Sequence, residues 1–106
     1  MTVGEWLEAR HPAPPDALAL RVRGLVALRA DADASCAWEV CLEAGESLLA
    51  ELLHEGCASR QSALDLLAVD ALVTYAFEAS AEEPGTLDDR AHRAMLRISA
   101  LASAGA

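Results

Sequence analysis

The sequence predicts an all-α fold, a compact bundle of four main helices preceded by a short N-terminal one. Apolar residues recur at the three- and four-residue spacing of a helix, and no useful stretch alternates with the two-residue period of a strand. The chain of 106 residues also holds 24 alanines, the residue with the strongest intrinsic helix propensity. That length suits one domain, and neither an internal repeat nor a long linker divides it.

Proline, glycine and capping residues set the element boundaries. Thr2 followed three residues later by Glu5 is a capping box, which opens a short helix over residues 2–10. The run from His11 to Pro15 then interrupts it, because each proline lacks an N–H donor and restricts the residue before it. Pro15 suits the first position of a second helix reaching about Ala30, with Leu18, Val22, Leu25 and Val26 as its buried stripe. A new cap in Asp31–Ala34 starts a third helix, from about Ser35 to Glu55, and Gly56 ends it. Ser59 caps a fourth helix reaching about Ser80. Thr86 caps a fifth that ends near Ala102, so the main bundle occupies residues 16–102.

The helix faces carry further expectations. In the third helix Trp38, Cys41, Leu42, Gly45, Leu48, Leu49, Leu52 and Leu53 share one side, and Glu39, Glu43, Glu46 and His54 line the other. Gly45 costs about 1 kcal/mol relative to alanine in mid-helix, which a closely crossing neighbour would explain. The fourth helix carries Leu64, Leu66, Leu67, Val69, Leu72, Val73, Tyr75 and Phe77 on every side. A helix apolar all round is expected to be central and buried all round, by its neighbours or by a second copy of the chain.

Eight arginines, no lysine and 17 acidic residues give a formal net charge of −9. Such a surface repels nucleic-acid phosphates and anionic membranes, so neither is an expected partner. No run reaches the roughly 18 uncharged apolar residues of a membrane span, and the first residues lack the basic and apolar segments of a secretory signal. Cys36, Cys41 and Cys57 form no Cys-x-x-Cys pair, and an odd count makes a poor disulfide framework. They read as small hydrophobes in a reducing, cytoplasmic setting.

Three constellations could carry chemistry. Glu51 and His54 have the Glu-x-x-His spacing used by ferritin-like di-iron bundles, but their face is expected to meet water. Asp65 and Asp70 sit among apolar residues on the fourth helix, where a carboxylate must be paired, hydrogen-bonded or protonated. The economical expectation is pairing with Arg21, Arg29, Arg93 or Arg97; the alternative is a pocket in which Asp65, Asp70, Tyr75 and Phe77 bind a small molecule or a metal ion, or in which the aspartates act as general acid or base of an enzyme. Arg90, Arg93 and Arg97 form a stripe on the last helix that is expected to meet glutamates of the third. No Gly-x-Ser-x-Gly elbow, glycine-rich phosphate loop or cofactor fingerprint occurs. The segment Ser62–Val73 is superficially similar to the second helix of acyl carrier proteins, but Gln61-Ser62-Ala63 stands where that family has Asp-Ser-Leu, so no carrier role is implied.

The leading expectation is therefore a non-enzymatic protein acting through protein–protein contacts, with no cofactor, as a homodimer or with a protein partner. Trp6, Leu7, Leu66, Val73 and Phe77 are the candidate interface residues, since Trp6 and Leu7 lie on a helix too short to stand alone and must dock somewhere.

Overall fold

The computed structural model describes residues 1–55, 59–82 and 87–105. It contains five α-helices and, among the described residues, no strand: α1 (Val3–Glu8), α2 (Asp16–Val26), α3 (Ala37–Glu55), α4 (Arg60–Ala81) and α5 (Leu87–Gly105). The most extensive packing is between α3 and α4; α5 lies mainly against α3, and α2 against α4.

Helix α1 begins as the capping box requires. The Thr2 hydroxyl accepts from the Glu5 N–H, and the Glu5 carboxylate accepts from the Thr2 N–H. The free N–H groups of Val3 and Gly4 donate to the carbonyls of Ala32 and Ala30, and Ala34 N–H donates to the Met1 carbonyl. These bonds fasten a six-residue helix that could not persist alone. Val3 and Trp6 are buried beneath it.

Helix α2 is shorter than expected. It ends at Val26, and a 3₁₀ turn over Ala27–Arg29 continues the chain. A second 3₁₀ turn, Ala34–Cys36, precedes α3 and is capped by the Asp33 carboxylate, which accepts from the Ser35 N–H. The helical pattern of the sequence runs through both turns, but the loop between them must supply carbonyls to α1, which a continuous helix could not spare. Ser59 caps α4 through the Ser62 N–H, as expected. The caps expected at Gly56 and Thr86 lie outside the described residues, as does Cys57.

The core follows the α3 stripe: Trp38, Cys41, Leu42, Leu48 and Leu52 pack with Ala68, Leu72 and Ala76 of α4 and Ala94 of α5. Gly45 sits where α4 crosses. A Cβ there would lie 3.3 Å from Leu72 Cβ and 3.5 Å from Val73 Cγ2. Leu53, expected on the buried side, is exposed near the end of α3.

Helix α4 meets α2, α3 and α5, as a central element should, but one stripe rather than its whole circumference is buried. That stripe is Asp65, Ala68, Leu72, Ala76 and Ser80. Leu66 and Leu67 remain 42% and 55% exposed. The expectation of burial on every side is corrected accordingly: the other described helices of this chain leave one side of α4 open.

Candidate functional site

Asp65 is held at the α2–α4 contact. Arg21 Nε donates to its Oδ1 at 2.8 Å, and Gln61 Nε2, one turn earlier on α4, donates to the same oxygen at 3.0 Å. The Arg21 hydrogen bond is the main cause of a carboxyl pKa below the ordinary aspartate value of 3.8, despite an opposing contribution from burial. The residue is only 8% exposed. It is thus a satisfied ion pair between two helices, the economical alternative foreseen from the sequence.

Asp70 is placed differently. Five residues beyond Asp65, it is rotated by about 140° around the helix and is exposed. The expectation that both aspartates share apolar surroundings is corrected: the helical phase that buries Asp65 turns Asp70 to water. Phe77 is half-buried against the core, and Tyr75 packs on the opposite flank of α4. The four residues expected to line one pocket therefore do not converge.

Of those four, Tyr75 does reach a concavity. An open cleft of about 240 Å³ lies among α1, the proline segment, α2 and α4, lined by Leu7, Pro14, Ala19, Val22 and Tyr75, with Arg10 and Arg23 at its polar edge. Burial is the first cause of a raised Tyr75 pKa, with the Glu78 carboxylate adding to it. A second cleft of about 260 Å³ runs between α2 and α3. Both fall below the roughly 300–1,000 Å³ usual for small-molecule sites.

The interface candidates divide in the same way. Trp6 is 3% exposed and spent within its own chain. Its indole N–H donates to both carboxylate oxygens of Glu82, at 3.1 and 3.2 Å, while the Arg10 guanidinium lies 3.9 Å from its ring centroid. Arg10 also pairs with Glu82 at 3.5 Å and Glu78 at 3.9 Å. Trp6 is therefore removed from the candidate interface, and Leu7 lines the first cleft. Val73 is half-buried beside Gly45, so Leu66 is the one candidate left substantially exposed.

Glu51 and His54 are both exposed, and the described residues bring no three His, Cys, Asp or Glu side chains together as a metal site. The acidic side of α3 is not wholly solvated. Glu46 forms an ion pair with Arg97, Oε2 lying 2.6 Å from Nε, and Glu43 Oε2 accepts from Arg29 Nη1 at 2.7 Å. The first of these is the expected α5–α3 contact, and Arg93 lies 5.5 Å from the Trp38 ring centroid beside it.

Sequence reasoning passes over Leu28, which stands fully exposed on the 3₁₀ turn after α2, at the edge of the second cleft. Its signal is an apolar residue lying off the Leu18–Val22–Val26 stripe. The Trp6–Arg10–Glu82 cluster also escapes it, because no local pattern links positions so far apart. Comparison with protein-family models, curated proteins and solved structures finds no match to this chain.

Proposed function

We propose that this protein is a non-enzymatic interaction module that works as a homodimer, its apolar helix faces serving as the working surface. The observation that carries this reading is the exposed flank of α4, where Leu66 and Leu67 meet water on a helix that packs against α2, α3 and α5. Leucines left exposed beside a packed core are surface that a partner can cover. Met95 and Leu96 add exposed apolar area on α5. The carboxylate best suited to chemistry, Asp65, is already engaged through Oδ1 by Arg21 and Gln61. The described cysteines, Cys36 and Cys41, are free thiols, in keeping with a cytoplasmic setting. No described helix is long and apolar enough to cross a membrane.

Light scattering coupled to size-exclusion chromatography tests the reading. It predicts a particle of twice the chain mass; a monomer across the whole accessible concentration range contradicts it.

A second reading has its own observation, the cleft in which Tyr75 faces Leu7, Pro14 and Val22 beside Arg23. In that case the protein binds a small, largely apolar molecule, and a Tyr75→Ala variant loses the ligand while keeping its subunit number.

A further inference from the structure

The side of α4 opposite its buried stripe carries, from the helix start, Arg60, Ala63, Leu67, Asp70, Thr74 and Glu78, all exposed. Their three- and four-residue spacing sets them in one line along the helix, and Leu66 flanks that line. The line changes character along its length. It has a cation at Arg60, an apolar middle at Ala63, Leu66 and Leu67, and an anion at Asp70, about 15 Å further on by helical rise. The side chains of Arg60 and Asp70 make no hydrogen bond or ion pair with another described residue, whereas Arg10, Arg21, Arg29 and Arg97 are each engaged by a carboxylate of their own chain. Opposite unpaired charges at the two ends of an apolar line are matched by the same line running the other way, which is what a second copy of the chain presents.

We infer that two copies of this chain pair α4 against α4, antiparallel, about a two-fold axis at the level of residue 65. In that register Arg60 of each copy meets Asp70 of the other, Leu67 packs on Ala63 of the other, and the two Leu66 side chains meet beside the seam. A leucine facing an alanine in each apolar layer lets the helices approach closely, and an ion pair closes each end. The two-fold sets no like charges of α4 together. Between the two ends the one charged residue is Asp65, which faces the opposite side and is paired with Arg21. Glu78, two turns beyond Asp70, lies past the start of the partner's α4. A parallel pairing would instead stack Arg60 on Arg60 and Asp70 on Asp70, so charge selects the antiparallel one. This inference rests on the homodimer reading above and adds its register.

Sedimentation equilibrium of the full chain tests it with Arg60→Glu, Asp70→Arg, the charge-swapped double variant Arg60→Glu/Asp70→Arg, and Leu66→Glu/Leu67→Glu. All four positions are exposed, and circular dichroism checks that each variant is folded. Each single charge reversal sets like charges at both ends of the pairing and is expected to weaken association about tenfold, although the two reversals shift the net charge in opposite directions. The charge-swapped variant rebuilds both pairs with their signs exchanged and is expected to return to within about threefold of wild type. The leucine variant is expected to be monomeric. Single reversals that dimerise like wild type while the leucine variant dissociates, or a charge-swapped variant no tighter than the singles, overturn this inference and leave the homodimer reading standing. A monomeric wild type overturns both.

Discussion

Replacing Asp65 by asparagine is the most informative single change in the described structure, because two different accounts of α4 predict opposite results. In the ion-pair account, the asparagine side chain keeps a hydrogen-bond acceptor near Arg21 Nε but loses the charge that makes the 2.8 Å contact strong. Hydrogen bonds to charged groups contribute about 1.5–3 kcal/mol, against about 1 for neutral ones. The Arg21 side chain is 34% exposed and can recover part of its hydration, which places the loss at the low end, about 1–2 kcal/mol. For a chain of this size each kcal/mol moves the melting temperature by roughly 4–5 °C, so a fall of about 4–10 °C is expected.

The pH dependence follows from the same geometry. The Arg21 hydrogen bond lowers the folded-state pKa of Asp65 below 3.8, its ordinary value, so the native state binds fewer protons than the unfolded one as the group titrates. The stabilisation is therefore complete above the unfolded pKa and is lost as pH falls through the folded value. Thermal melts of wild type and Asp65→Asn, differing at pH 7, should begin to converge as the pH is stepped below about 4. Asp70→Asn, at an exposed position, should shift stability by less than about 0.5 kcal/mol throughout. An Asp65→Asn protein as stable as wild type, or more stable, would refute the ion-pair account and return Asp65 to the list of site candidates.

Other substitutions probe the packing. Gly24→Ala meets nothing within 4 Å on α2 and should stabilise by about 0.5–1 kcal/mol; Gly45→Ala should destabilise despite the same propensity gain, since its Cβ crowds the buried Leu72 Cβ at 3.3 Å. Chemical denaturation of the two variants reads both signs. Ser80 is fully buried and its hydroxyl has no hydrogen-bond partner among the described residues, so Ser80→Ala should be neutral or stabilising by up to about 1 kcal/mol in the same assay; a loss above about 1 kcal/mol would mean the hydroxyl is bonded. Burial pushes the Cys41 thiol up to about 12, so at pH 8 alkylation followed by peptide mapping should label half-buried Cys36 well before Cys41.

Local chemistry is legible in the sequence wherever a short pattern decides the outcome. The Thr2–Glu5 capping box, the Ser59 cap and the close helix crossing at Gly45 are each written within a few residues. Arg21 is among the arginines expected to reach Asp65, because an acid on an otherwise apolar stripe needs a partner. What the sequence obscures is phase and coverage. Asp70 has apolar neighbours in the chain, but its helical phase points it to water. The leucines of α4 look alike in sequence, yet Leu72 is enclosed and Leu67 is not, because coverage depends on which neighbouring helix passes over each side. The docking of Trp6 on Glu82 and the clefts between helices are products of tertiary packing, which local periodicity does not encode.

The central claim, a homodimeric interaction protein without a bound small molecule, is tested most directly by native mass spectrometry of protein purified without chelators. The account predicts a species of twice the chain mass with no additional non-covalent mass, and the double variant Leu66→Glu/Leu67→Glu returning it to the single-chain mass. A monomer that retains a metal or a small organic molecule would contradict it and shift attention to the Tyr75 cleft.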